Sequence, residues 1–202
     1  KFAALALCLG ITSMGQVPAA TAAPIFFTLE TSFQTAASGA PLPLESFEGS
    51  NQFGGPINFP GLVVTTSDGA AVSTQSDASA TDGSETLTWF RSGQGDIVFT
   101  FANSISSFGI DVLDLGTTST GPATLSMTVN GVTQALFVDF AGPGSNLLFA
   151  GVVDSNPFTT VVFSNTDLLD LVFFDRLQTS QIPEPGSLAL IGLGLVWLGL
   201  AR

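Results

Sequence analysis

Residues 123–132 read Ala123-Thr-Leu-Ser-Met-Thr-Val129-Asn130-Gly131-Val132, and this stretch decides the fold class. Leu125, Met127 and Val129 alternate with Thr124, Ser126 and Thr128. A period of two with one polar side marks a strand of an antiparallel sheet, one face packed and the other wet. Asn130-Gly131 follows at once, the strongest short hairpin signal, since a type I′ turn needs positive φ at both central positions. The turn sets a register: Val129 opposite Val132, Met127 opposite Gln134 and Leu125 opposite Leu136.

The same period recurs outward from this hairpin. Ile97, Phe99 and Phe101 alternate with Val98 and Thr100, and Phe108, Ile110 and Val112 alternate with Gly109 and Asp111. Further strands are expected at Ile25–Leu29, Leu62–Thr66, Glu85–Phe90, Leu147–Val153, Thr159–Ser164 and Leu171–Leu177. Clusters of Gly, Pro, Asn and Asp separate them. Between the termini no stretch shows a helical 3.6 period. The expectation is an all-β domain, an antiparallel β-sandwich of jelly-roll-like form, with the 18 Phe and the β-branched residues between its layers. Ser67–Ser84, small and polar, is expected to be a long exposed loop with one short strand near Ala71–Thr74.

Composition narrows function by exclusion. Of 202 residues 4 are Lys or Arg, 16 are Asp or Glu, none is His or Tyr, and the net charge is −12. So few cations cannot neutralise a row of phosphates, which removes nucleic-acid partners and a basic membrane patch. Without His there is no Ser-His-Asp or Cys-His machinery and no His-ligated zinc. Carboxylate chemistry, hydroxyl chemistry, calcium or no chemistry remain.

The termini hold much of the hydrophobic excess. Lys1 precedes the apolar run Phe2–Met14, and Pro18-Ala-Ala-Thr-Ala-Ala23 follows. A basic start, a short apolar core and small residues at Ala20 and Ala22 are the parts of a secretory signal, read as residues 1–22 with cleavage after Ala22. Lys1 rather than Met stands first, so the sequence reads as trimmed at its start. The only Cys, Cys8, lies in this segment, leaving residues 23–181 without thiol or disulfide. That stretch reads as one ectodomain, in which 15 acidic side chains face Arg91 and Arg176 alone, near −13.

At the other end Gly186–Ala201 is uncharged for 16 residues and ends at Arg202. As a helix it would be about 24 Å long, somewhat short of the ~30 Å hydrocarbon core. It has no polar face, so a transmembrane helix is expected, with Arg202 on the cytoplasmic side.

Immediately before it stands Ile182-Pro183-Glu184-Pro185-Gly186. A Pro-Glu-Pro triplet, a short Leu/Gly-rich segment and a basic end resemble the PEP-CTERM sorting signal of Gram-negative bacteria, over residues 182–202. The resemblance implies recognition of Pro183, Glu184 and Pro185 by exosortase, an integral-membrane cysteine protease/transpeptidase. It also implies signal peptidase as a second processing enzyme, an inner-membrane intermediate, and a final place at the cell surface or in exopolysaccharide matrix. The family usually shows several Arg after the apolar segment, where this chain has Arg202. Gly95–Gly116 and Phe173-Phe-Asp-Arg-Leu177 also resemble ectodomains of PEP-CTERM proteins, which mostly lack an assigned activity.

The expected function is therefore that of an exported, non-enzymatic envelope or matrix protein, with no catalytic residues, metal ligands or cofactor assigned. The alternatives are a carbohydrate-binding module with polysaccharide as partner, or a glycosidase using two carboxylates roughly 5–9 Å apart. A structural calcium would suit the acidity, with Asp111 and Asp114, or Asp68, Asp82 and Glu85, as candidate ligands. Trp89, beside Phe90 and Arg91, is read as core through the face it shares with Leu87, with sugar stacking as its other reading. On the last strand Val172, Phe174 and Arg176 face one way and Leu171, Phe173, Asp175 and Leu177 the other. Asp175 and Arg176 are candidates to pair with charges on neighbouring strands.

Overall fold

The structure is a computed structural model that describes residues 22–37, 44–48, 54–70, 72–90, 95–116, 122–144 and 146–181. Among these residues, eleven strands and one helix follow in chain order. They are β1 (Ile25–Phe27), α1 (Glu30–Ala37), β2 (Leu44–Glu45), β3 (Ile57–Phe59), β4 (Leu62–Thr66) and β5 (Ser73–Ser76). Then come β6 (Glu85–Phe90), β7 (Ile97–Leu113), β8 (Ala123–Val129), β9 (Val132–Phe140), β10 (Leu147–Asn165) and β11 (Leu171–Gln181).

All pairings are antiparallel, and the strands form one continuous sheet. Two long strands fold this sheet over on itself. Residues 107–113 of β7 pair with 147–153 of β10, and residues 97–100 of β7 pair with 160–163 of β10. Between these blocks residues 102–104 and 155–157 are exposed, and the register shifts there. These bends form a spine across which both strands pass from one layer to the other. One layer runs β5-β6-β11-β7-β10-β1, and the other runs β3-β4-β7-β10-β8-β9. The expected sandwich is thus a curled single sheet. Ile97–Phe101 and Phe108–Val112, expected as two strands, are the two halves of β7, and the two strands expected within 147–164 are the halves of β10.

The core lies between the layers. Phe99 and Phe163 come from one layer and Phe108 and Phe174 from the other, with ring centroids 5.2–6.0 Å apart at their contacts. Trp89 stacks on Phe174, is fully buried, and donates its indole N–H to the Gly95 carbonyl. The core reading of Trp89 holds, and a sugar-stacking role falls away.

The outer face of the β11-β7-β10 layer is also covered, by α1. This helix was not anticipated, because Phe33 is its only buried residue and no apolar stripe exists to read. Tertiary contact holds it in place of propensity, as for most short helices. Gly109 and Gly151 stand opposite each other in the register, and a Cβ on either would meet the Phe33 ring at 2.6 and 2.9 Å. Phe149 flanks that ring, with centroids 5.3 Å apart.

The hairpin register is as read for Val129–Val132 and Met127–Gln134, but Leu125 pairs with Phe137 rather than Leu136. A bulge adds one residue to β9, so that the consecutive Leu136 and Phe137 both pack against the core. Another bulge, on β11, corrects the facing of its end. Arg176 takes φ 49° and turns to the outer face, while Leu177 joins the core. The short strand near Ala71–Thr74 is β5, at Ser73–Ser76. The signal and transmembrane helices expected at the termini lie outside the described residues. Among those described, no helix is long and apolar enough to cross a membrane.

Candidate functional site

A dense polar cluster lies under α1, on the outer face of the β11-β7 layer. The Arg176 guanidinium forks between two carboxylates. Its Nη1 and Nη2 donate to the two Glu30 oxygens at 2.7 Å each, and Nε and Nη2 donate to the two Asp111 oxygens at 2.9 Å. Gln178 and Gln34 each donate to Glu30 Oε1 as well. Asp111 is 2% exposed. The Arg176 hydrogen bonds hold the Glu30 carboxyl below the usual range against the opposing effect of burial, and the two carboxylates push Arg176 still higher. Arg176 thus pairs with a charge on the neighbouring strand β7, as the sequence suggests. The partners include a helix 146 residues away in the chain.

Asp175 sits directly opposite Asp111 in the register and is fully buried. Its Oδ2 accepts from the Thr81 and Asp82 N–H groups at 2.6 and 2.8 Å, and its Oδ1 from the Arg176 N–H at 2.7 Å. Burial raises its pKa, and these backbone donors act against the rise. Glu48 secures the next turn of the same loop, accepting from the Ser84 and Glu85 N–H groups. The loop expected to be long and exposed at Ser67–Ser84 is thus tied at its distal half by two carboxylates that sequence reasoning did not connect to it. The arrangement fastens a loop and a helix to a sheet, and its oxygens are occupied in doing so.

Asp111 spends both oxygens on Arg176, Asp68 Oδ1 accepts the Ala70 N–H, and the Asp82 N–H turns towards Asp175. Among the described residues no three acidic side chains converge to hold a metal ion.

Among the described residues, grooves open on two faces. One, of about 300 Å³, lies on the outer face of the β10-β8 layer and is lined by Thr128, Asn130, Gly131, Thr159, Thr160 and Val162. It belongs to a wider face built row by row from small side chains. Val63, Thr100 and Thr160 form one cross-strand row, and Thr65, Val98, Val162, Thr128 and Thr133 form the next. The other groove, of about 380 Å³, separates β1 from β9 and is lined by Pro24, Ile25, Phe26, Thr28 and residues 134–136. Neither groove carries a carboxylate.

Of the processing residues, Ala22 is described and exposed at the entry to β1, whereas Ala20, Pro183, Glu184 and Pro185 lie outside the described residues. A family profile, described as the PEP-CTERM protein-sorting motif, matches residues 181–202. The chain carries a PEP-CTERM sorting motif. The motif begins on the last residue of β11, so a single residue, Ile182, separates the sheet from the Pro-Glu-Pro triplet.

No curated protein sequence matches this PEP-CTERM chain. Among solved structures it is similar to the C-terminal family 22 carbohydrate-binding module of Clostridium thermocellum Xyn10B. Identity there is 11%, covering 71% of this chain and 94% of that one, with a TM-score of 0.43. It is similar also to the K2 cleaved adhesin domain of Lys-gingipain, at 15% identity, 69% and 97% coverage and a TM-score of 0.43. A longer Clostridium thermocellum xylanase 10B chain, CBM22-1 with GH10, is similar at 10% identity and a TM-score of 0.41. The match covers 71% of this chain and 28% of that one.

Proposed function

We propose that the protein is an exported, non-enzymatic component of the cell envelope or extracellular matrix. In this reading residues 1–22 direct export, signal peptidase cuts after Ala22, and the C-terminal apolar segment holds the chain in the inner membrane. Exosortase then acts at Pro183-Glu184-Pro185 and delivers a jelly-roll-like ectodomain to the surface. The observation that carries it is the sorting motif at residues 181–202, joined without a spacer to the end of a folded domain. A glycosidase would need two carboxylates facing one cleft. The two grooves described above offer none, and the buried Asp175 and Asp111 are bonded to backbone N–H groups and to Arg176, which supports a non-catalytic role. Deleting Pro183–Arg202 should release the domain into periplasm or medium. Fractionation of the truncated protein with membranes would refute the anchoring.

The Thr-lined groove favours a second reading, a polysaccharide-binding surface. Thr and Asn hydroxyls and amides can exchange hydrogen bonds with sugar hydroxyls, and this groove lacks the acidity of the rest of the molecule. The test is a broad glycan screen with wild type and Thr160→Arg, which projects a long charged side chain from the groove floor. A saturable ligand lost in the variant supports the reading, and absence of any hit removes it.

A further inference from the structure

The two points at which the domain joins its processing segments lie on one row of the sheet. Ile25 pairs with Val153, Val153 with Ser107, and Ser107 with Ser180. Ile25 opens β1 three residues after Ala22, and Ser180 stands three residues before Pro183. The row spans three strand spacings, about 14 Å. β1 starts and β11 ends at the spine, where β7 and β10 bend. The end of β11 is held firmly there: the Ser180 hydroxyl lies 2.6 Å from that of Ser107 and 2.8 Å from that of Ser106.

Resting on the anchoring proposed above, we infer that the spine of the sandwich is its membrane-facing surface during sorting. Only four residues, Ile182-Pro-Glu-Pro185, separate Gln181 from the uncharged C-terminal run. Fully extended they span at most about 14 Å. A compact domain of this length has a radius of gyration of about 15 Å. So short a tether cannot let the domain turn over, and the end that carries Gln181 faces the bilayer. The surface there suits that position. The turns at 60–61, 102–104, 130–131 and 155–157 are exposed and carry no charge. The acid nearest them, Asp154, is buried and bonded by Asn130 and Asn156. A chain of net charge −12 is repelled by anionic lipid, and these uncharged turns are where it approaches one at least cost. The β10–β11 turn at residues 166–170, at the opposite end, faces away.

Residues 23–202 contain no cysteine, which permits a direct test. Asn103→Cys, Asn156→Cys and Leu168→Cys are made at exposed positions. Each protein, with residues 182–202 retained by a host lacking exosortase, is labelled with a fluorophore. The labelled proteins are incorporated into phosphatidylethanolamine/phosphatidylglycerol vesicles containing a headgroup-nitroxide lipid. Quenching should be several-fold stronger at positions 103 and 156 than at 168. Equal quenching, or stronger quenching at 168, in protein that sediments with the vesicles overturns the orientation while leaving the anchor intact. Protein that fails to sediment overturns the anchor, and the orientation with it.

Discussion

Gly109 on β7 and Gly151 on β10 are direct cross-strand partners, and together they form a flat floor for the ring of Phe33. Neither has an unusual φ, so side-chain absence is what the position requires. Gly109→Ala would place its Cβ 2.6 Å from Phe33 and 2.7 Å from Phe149. Overpacking of this kind costs about 1–3 kcal/mol. Phe33→Ala leaves a cavity instead, at about 3–5 kcal/mol. Urea denaturation should show both losses. The double variant should be less destabilised than the sum, because the alanine methyl then enters the space the ring vacated.

Arg176 is bonded to Asp111 and Glu30 at once, so removing it strands a carboxylate that is 2% exposed. Arg176→Ala should cost about 3–5 kcal/mol, and adding Asp111→Ala should recover part of that. Glu30 adds a pH dependence. Its folded pKa is lowered, so its contribution is present above the ordinary value of 4.5 and is lost as pH falls through the folded value. Glu30→Gln should therefore destabilise at pH 7 and lose most of its effect at strongly acid pH. A constant difference across that range would contradict the ion pair.

How much of this was legible depended on the range over which the information acts. Leu62–Thr66 and Glu85–Phe90 have the bounds that the sequence suggests, because alternation of large apolar with small or polar side chains is a local signal. Ala102-Asn-Ser-Ile-Ser-Ser107 reads as a break, yet β7 runs through it, since the polar stretch is where the strand bends between layers. Helix α1 is invisible to periodicity because it buries one ring. The Arg176 fork needs residues 65 and 146 positions away, and the facing of Arg176 depends on a bulge that alternation alone cannot reveal.

Asp170 is fully buried at the β10–β11 turn, where its Oδ2 accepts from the Gly116 N–H and the Asn165 side chain, while Oδ1 has no hydrogen-bond partner among the described residues. Burial raises its pKa, and the nearby Asp167 adds to the rise. The sign is opposite to that of Glu30. The contribution of Asp170 is most favourable below its ordinary value of 3.8 and declines as pH rises through the folded value. Asp170→Asn keeps an oxygen for the two donors and removes the buried charge. It should match or exceed wild type at pH 7, by on the order of 1 kcal/mol. That advantage should disappear near pH 3, as thermal melts at the two pH values will show.

Asn130 has φ 49° at the β8–β9 turn, where Gly is ordinarily at least as good. By turn chemistry alone Asn130→Gly should be neutral or slightly stabilising. The structure predicts the reverse. The Asn130 side-chain amide donates to Asp154 Oδ2 at 2.9 Å and to the Asn156 carbonyl at 3.0 Å, tying the hairpin to the β10 bend. Asp154 is 2% exposed, so losing this donor removes a hydrogen bond from a buried carboxylate, at about 1–3 kcal/mol. Asn130→Gly should lower the melting temperature, and Asn130→Asp should lower it further by setting a second carboxylate against Asp154. If glycine is tolerated and aspartate alone is harmful, the hydrogen bond contributes little, and only the absence of charge at this turn matters.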